Sequence, residues 1–375
     1  MKQTMHFERY QRQIILKELG PQGQQKLQQA KVLVIGAGGL GCPVLLYLAA
    51  AGLGTLGLVD HDVVSLTNLH RQVVYDMSDL GHSKAERAAQ KLQRMNPDIE
   101  VQPHRVQLTS QNALELLHAY DLIVDATDNF PARYLINDAC VLLGKPLVYG
   151  AVSSFEGQVA VFNYAGEGGE RPVHYRDLFP VPPQAGEVAN CEEAGVLGVL
   201  PGIIGSLQAA EVLKIITGIG QPLANRLQTV NLLTNDWNTW EITPHPQADA
   251  QRPKDAGAFR QTAYEQACGL LSVEEITAGE FSRLLSNRQA AIVDVREVGE
   301  LPLLHEFPHL QLPLSQLPGS IPALCGDPVI VLCQSGKRSQ QAARLLAEAF
   351  PQKKVYSLQG GVLGWKEYLH QQQGV

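Results

Sequence analysis

Gly36-Ala37-Gly38-Gly39-Leu40-Gly41 fits a G-x-G-x-x-G loop. Gly36, Gly38, Gly39 and Gly41 permit a tight turn and let a phosphate approach the backbone, while the N–H groups opening the next helix face the anion. Asp60 ends the following apolar run, where a carboxylate can take ribose hydroxyls. Such a fingerprint alone suggests NAD. Its surroundings argue otherwise. His61, Asp62, Asn68, Arg71 and Gln72 come directly after Asp60, Lys84 opens the next helical stretch, Asp128-Asn129 follow a third apolar run, and Arg9 and Arg12 stand near the N-terminus. Arg and Lys neutralise charge on an α-phosphate and on leaving pyrophosphate, and an aspartate can hold Mg²⁺. Phosphoryl or adenylyl transfer needs such a set, and hydride transfer has no use for it.

A second constellation is Cys333-Gln-Ser-Gly336-Lys337-Arg338-Ser339, between the apolar Val329–Leu332 and an Ala/Leu-rich run from Gln340 to Phe350. A cysteine between a strand end and a helix start meets free N–H groups, and two cations follow it. Both features favour a thiolate and can stabilise an anionic persulfide. The other cysteines are Cys42, Cys140, Cys191, Cys268 and Cys325, with no C-x-x-C pair. They read as reduced thiols rather than a disulfide framework.

The elements that must carry these residues alternate. Lys31–Ile35, Thr55–Asp60, Leu122–Asp125 and Pro146–Gly150 read as strands, with helical patterns after Gly41, over Ser83–Met95 and over Ala132–Leu143. Alternation of this kind implies a parallel, helix-covered sheet. Val159–Asn163 and Gln228–Leu233 read as further strands, and Val199–Ile216 as a long apolar helix. After Thr243 a polar segment with Pro and Gly suits a linker. A second unit then begins near Leu271, with Ser272-Val-Glu-Glu275 as a helix-start signal and Ala291–Val295, Val329–Leu332 and Lys354–Ser357 as strands. The expected division is residues 1–245, a linker at 246–270, and residues 271–375.

With 375 residues the chain suits two domains, and 45% hydrophobic and 18% charged residues are ordinary for globular cores. A net charge of −7 gives no general attraction to nucleic acid or anionic lipid. The opening residues lack the apolar core of a signal peptide, and runs such as Val32–Ile35 are too short to span a bilayer. The expectations are a cytoplasmic enzyme with no nucleic-acid or membrane partner.

Taken as an ordered set, R-Y-x-R-Q at Arg9–Gln13, the Gly36–Gly41 loop, D-x-D-x-V-x-x-x-N-x-x-R-Q at Asp60–Gln72, G-x-x-K at Gly81–Lys84 and T-D-N at Thr127–Asn129 resemble the MoeB/ThiF family from about Phe7 to Glu241. That family comprises ubiquitin-activating-like adenylyltransferases for small sulfur-carrier proteins. The resemblance implies that a carrier's C-terminal Gly-Gly carboxylate attacks the α-phosphate of ATP. It also implies that Gly39, Asp60, Asn68, Arg71 and Lys84 bind ATP and that Asp128 is the Mg²⁺ ligand. Arg12 would reach the phosphates from the partner subunit of a homodimer. Asn190-Cys191-Glu192-Glu193-Ala194-Gly195 also matches, which makes Cys191 a candidate for a covalent link to the carrier. Many members hold zinc through two C-x-x-C pairs. Here those places carry His174, Asp177 and His245, so no structural zinc is expected.

The second unit resembles a rhodanese domain from about Leu271 to Leu369, through Asp294-Val-Arg296-Glu297, the C-x-x-G-x-R-S loop and Leu358-Gln-Gly360-Gly361-Val-Leu-Gly-Trp365. This implies that Cys333 accepts sulfane sulfur, with Arg338 and the loop amides holding the persulfide. Glu300–Leu314 departs from that pattern, lacking a G-H-I-x-G-A run. The expected fold is α/β, a Rossmann-like, mostly parallel sheet followed by a smaller α/β rhodanese-like domain. The expected activity is adenylation of a ubiquitin-like sulfur carrier ending in Gly-Gly, followed by sulfur transfer from Cys333 to give a thiocarboxylate. A donor such as a cysteine desulfurase would supply the sulfur. A molybdopterin-synthase-type carrier is favoured over thiamine, cysteine or tRNA-thiolation carriers. The alternative from another class is an NAD-dependent oxidoreductase with a regulatory thiol domain.

Overall fold

The computed structural model describes residues 7–165, 171–183, 195–264, 273–286, 290–317, 321, 324 and 326–373. The chain divides into two compact units, Met1–Cys268 and Gly269–Val375.

In the first unit, the strands β1 (Lys31–Ile35), β2 (Thr55–Val59), β3 (Glu100–His104), β4 (Leu122–Asp125), β5 (Leu147–Ser153), β6 (Glu156–Phe162), β7 (Arg226–Asn231) and β8 (Asp236–Glu241) form one sheet in the order β3-β2-β1-β4-β5-β6-β7-β8. β3 through β5 pair in parallel. β5 through β8 pair antiparallel. β1 and β4 are apolar on both faces and buried, because helices cover both sides of a parallel sheet. Those helices are α1 (Phe7–Ile14), α2 (Gly20–Gln29), α3 (Gly41–Ala50), α4 (Lys84–Met95), α5 (Ala113–His118), α6 (Phe130–Leu143), α7 (Tyr175–Leu178) and α8 (Leu200–Thr217). From β1 the chain runs outward to β2 and β3, then returns to place β4 on the other side of β1. The carboxyl ends of β1 and β4 therefore flank the crevice where ligands bind in open α/β sheets.

Among the described residues, α8 alone is long and apolar enough to cross a membrane by length and composition, and half of it is buried within the fold. Leu200, Ile204, Ala209 and Val212 pack into the same core as β1 and α3, so it serves as a core helix.

Much of the segment expected as a linker packs on the first unit. Asp255 caps a further helix, α9 (Ala256–Gln261), by accepting a hydrogen bond from Ala258 N at 2.8 Å. Phe259 and Ala248 are fully buried, and the Tyr264 hydroxyl donates to Asp138 Oδ2 at 3.0 Å. Asp138 is itself held by Arg176 through two 2.8 Å contacts. A buried ionic network closed by a buried aromatic is an anchorage that the polar composition did not reveal.

In the second unit, β9 (Glu274–Ile276), β10 (Ala291–Asp294), β11 (Leu310–Gln311), β12 (Val329–Leu332) and β13 (Val355–Leu358) form an all-parallel sheet in the order β11-β10-β12-β13-β9. Helices α10 (Ala278–Ser286), α11 (Lys337–Ala349) and α12 (Gly361–Gln373) accompany it. Residues 274–276, expected to open a helix after Ser272, are a strand, and Ser272 lies outside the described residues. The capping box sits slightly later. Thr277 N and Oγ1 donate to Glu280 Oε2, and Glu280 N donates back to Thr277 Oγ1.

Candidate active sites

The Gly36–Gly41 loop joins β1 to α3 as expected. Gly36 adopts φ +97°, and a Cβ on Gly41 would lie 1.9 Å from Gly36 O. Only glycine at position 41 lets the helix start this close to the strand end. Asp60, at the end of β2, accepts from Ala37 N at 2.8 Å through Oδ2 and from Asp62 N at 2.9 Å through Oδ1. Each oxygen keeps capacity for a further donor, so the carboxylate is fixed yet able to receive hydroxyls.

Cations converge on this loop. The Lys84 ammonium, nearly buried at the start of α4, lies 3.0 Å from Asp62 Oδ2, and Lys84 N donates to Asp62 O. The Arg71 stem covers Gly39, with Cδ 3.5 Å from where a Cβ on that glycine would be. Its guanidinium donates to Thr67 O at 3.1 Å. Asn68 accepts from Ser65 N, which fixes the turn that presents Arg71. Burial pushes the Cys42 thiol up to about 12 although Lys84 and Arg71 oppose it, so Cys42 is an inert filler beneath the loop.

Asp128 and Asn129 follow β4 at the same edge of the sheet, where Asp125 pairs with Ile35. Asp128 is exposed, while Asn129 caps α6 by accepting from Ala132 N at 3.0 Å. Among the described residues, the three side chains whose donor atoms converge within 4.8 Å are Asp60, His61 and Asp62. With exposed Asp128, this offers the hard oxygen donors that Mg²⁺ takes together with phosphates.

Arg12 is not brought to the loop by its own chain. Its helix α1 is anchored through Tyr10, whose hydroxyl accepts from Asn96 Nδ2 at 2.8 Å and whose ring abuts Gly52. Asn96 Nδ2 also donates to Ala49 O, at the C-terminal end of α3. The glycine loop lies at the other end of that 10-residue helix, about 15 Å away.

Gln72 is a residue that the sequence reading quoted but gave no role. It is buried, its Oε1 has no partner among the described residues, and its Nε2 lies 3.7 Å from a Cβ position on Gly38. Its side chain thus edges the space over the loop. Only its place within a longer motif could have signalled this. Cys191 lies outside the described residues.

His174, Asp177 and His245 meet in one network. Asp177 Oδ1 accepts from Arg171 Nη2 at 2.6 Å and His245 N at 2.8 Å, and Oδ2 accepts from His174 N at 2.8 Å. The buried His174 ring sits 3.5 Å from Asp249 Oδ1, which Arg252 holds at 2.8 Å. Asp177 and Asp249 thus each accept from N–H donors. The network ties residues 171–177 to 245–252.

Cys333 ends β12 in the second unit. Its Sγ accepts from Gly336 N at 3.2 Å and lies 3.6 Å from Ser339 Oγ. Ser339 donates to Gly336 O at 2.8 Å, so the hydrogen bond to Ser357, at 2.9 Å, is donated by Ser357. Val362 N donates to Cys333 O at 2.8 Å, and a Cβ on Gly361 would lie 2.2 Å from that oxygen. The N-terminus of α12 thus grips the backbone beneath the cysteine. The residue is 1% exposed.

Arg338 points elsewhere than expected. Rather than closing on Cys333, its guanidinium forms a two-point ion pair with Glu300, each contact 2.6 Å. Among the described residues, the side-chain partner of Arg338 is Glu300. Glu300 also accepts from Glu297 N, and the Arg338 guanidinium holds its carboxyl below the usual range. The atypical stretch noted from sequence therefore supplies this loop's main side-chain partner.

The first unit is a nucleotide-binding type of α/β fold with its polar groups gathered at the strand-order switch, and the second presents a cysteine loop between strand and helix. The ThiF family matches residues 10–251 and the rhodanese-like domain matches residues 277–368. The chain belongs to the ThiF family, with a rhodanese-like domain following in the same chain. It is 41% identical to the "Probable adenylyltransferase/sulfurtransferase MoeZ" of Mycobacterium tuberculosis, over 96% of this chain and 93% of that relative. It is 40% identical to the "Adenylyltransferase and sulfurtransferase MOCS3" of Aedes aegypti, over 95% and 86%. A "Sulfur carrier protein adenylyltransferase" of Thermus thermophilus is 52% identical, over 70% of this chain and 97% of that relative. The relatives' adenylyltransferase activity is an ATP-using reaction class. The crystal structure of PaaA superposes with a TM-score of 0.55 at 26% identity, covering 64% of this chain and 76% of that one.

Proposed function

We propose that this chain adenylates the C-terminal Gly-Gly of a small ubiquitin-like sulfur carrier and then loads it with sulfur through Cys333. The observation that carries the reading is the convergence of Asp60, Arg71 and the Lys84–Asp62 pair on the Gly36–Gly41 loop. The loop amides would receive phosphate oxygens, Asp60 the ribose, and Arg71, Lys84 and Asn68 the polyphosphate. A carrier carboxylate oxygen attacks the α-phosphorus, the bond to the β-phosphate oxygen breaks, and pyrophosphate leaves. Mg²⁺ held by Asp128 and the phosphates would neutralise the charge that this departure concentrates.

The second half runs at sulfur. The terminal sulfur of a Cys333 persulfide attacks the acyl-adenylate carbonyl and AMP leaves, giving an acyl disulfide. A thiol then attacks the Cys333 sulfur, releasing the carrier thiocarboxylate and leaving a disulfide on Cys333. Cys191 is a candidate for a covalent link to the carrier. A molybdopterin-synthase-type carrier is favoured, in keeping with the relatives' names. A cysteine desulfurase is the favoured source of sulfur. Arg12 stands far from its own loop, so a homodimer would let it serve the partner's nucleotide. Cysteines with no C-x-x-C pair suit a reducing compartment, and the cytoplasm is the proposed location.

The test is ATP–pyrophosphate exchange with Mg²⁺ and carriers ending in Gly-Gly. Carrier-dependent exchange, reduced about a hundredfold or more in Asp128→Ala, is expected. Tight NAD binding with no exchange on any carrier would overturn the reading in favour of a dehydrogenase.

A further inference from the structure

Arg338 is a cation of the cysteine loop that could receive a small anionic sulfur donor, and it is already engaged. Both of its terminal nitrogens contact Glu300 at 2.6 Å. Bidentate pairs of this kind are the stronger class of charged hydrogen bond. The neighbouring guanidinium is engaged as well. Arg296 Nε and Nη2 bind Asp294, and its Nη1 donates to Pro302 O at 2.8 Å and Gln334 Oε1 at 3.3 Å. At the cysteine itself, the donor that reaches sulfur among the described residues is the backbone N–H of Gly336. The loop carrying Glu300 is fastened to the cysteine loop by Gln334 Nε2, which donates to Leu301 O at 2.9 Å. Its outer side chains, Val298, Leu301 and Leu303, are exposed and apolar.

We propose that Glu300 sets the class of sulfur donor that Cys333 accepts, by occupying Arg338 so that small dianions such as thiosulfate meet a guanidinium already paired and persulfides borne on a thiol are preferred. The proposal rests on the reading above, in which Cys333 carries sulfur, and adds the residue that sets its preference among donors. With a persulfide donor, the Cys333 thiolate attacks the outer sulfur of R–S–SH. A new S–S bond forms, the donor's S–S bond breaks, and R–S⁻ leaves. With thiosulfate, the same attack expels sulfite, and the approaching dianion meets the repulsion of the Glu300 carboxylate that holds Arg338. A partly buried site screens that repulsion less than water does. A persulfide brings at most one charge, which one backbone N–H can receive.

The experiment uses the full chain and follows Cys333 persulfide formation by intact-protein mass spectrometry, with thiosulfate or cysteine persulfide as donor. Wild-type protein should load from cysteine persulfide far better than from thiosulfate. Glu300→Gln keeps the shape and removes the charge. It should raise the thiosulfate-to-persulfide ratio of second-order loading rates by about tenfold or more, chiefly through a lower half-saturating thiosulfate concentration. Adding Arg338→Gln should abolish the gain. An unchanged ratio in Glu300→Gln, a parallel fall with both donors as from a loosened loop, or a gain that survives in the double variant would each overturn the proposal. If the wild type loads from neither donor, or if Cys333→Ala still takes up sulfur, the Cys333 reading itself falls and this proposal with it. Unaltered thermal unfolding of Glu300→Gln would confirm that the variant reports on charge.

Discussion

The nucleotide crevice and the cysteine loop are built on opposite plans. The crevice gathers side chains from Gly36 to Asp128, and the sheet does the gathering, since the carboxyl ends of β1, β2 and β4 lie side by side. Its groups are held by local hydrogen bonds, such as Ala37 N to Asp60 and Lys84 N to Asp62 O. The cysteine loop is short and carries its sulfur, its amide and Ser339 within seven residues of sequence, Cys333 to Ser339. Its shape nevertheless depends on distant partners, Glu300 on one side and the start of α12 at Gly361 on the other. A site dispersed in sequence can be locally rigid, and a site compact in sequence can be held from afar.

Two glycines break the comparison most directly. Gly41→Ala forces a methyl group against Gly36 O, so the loop or α3 must shift. Carrier-dependent exchange should fall by about a hundredfold or more, as misplacement of reacting groups does, while Cys333 loading persists. Gly361→Ala presses on Cys333 O instead. Cys333 loading should fall by about tenfold or more, while exchange persists. If either substitution impaired both activities equally, the two sites would not be separately supported. A smaller effect, on stability alone, tests the boundary of the first unit. Phe259→Ala removes a fully buried ring from the segment expected to be a linker. It should cost about 3–5 kcal/mol in the unfolding of the first unit, read by denaturant titration. A change near zero would mean that this segment is not part of that core.

What the sequence made legible follows the same division. The strand–glycine–helix passage, Asp60 and the Cys333 loop each announce themselves within a few residues, because local backbone requirements dictate their types. The strands at 31–35, 122–125 and 329–332 were legible because buried parallel strands read as continuous apolar runs. The pairing of Arg338 with Glu300 was not, since 38 residues separate them and only the folded sheet brings their loops together. The packing of 246–264 escaped for a similar reason. Its polar composition hides two anchors, Phe259 and Tyr264, whose partners lie on distant elements. The helix start after Ser272 was misplaced by a few residues, because Thr277 and Glu280 offered a better capping pair just beyond a short strand.

The central claim is that activation and sulfur transfer are separate steps at separate sites in one chain. The most direct test is a single reaction containing ATP, Mg²⁺, a Gly-Gly carrier, a persulfide donor and a thiol, run with wild-type protein and with Cys333→Ala. The account predicts that Cys333→Ala keeps carrier-dependent pyrophosphate release and forms no thiocarboxylate above the level without enzyme. Thiocarboxylate formed at the wild-type rate, or pyrophosphate release lost along with it, would contradict the account.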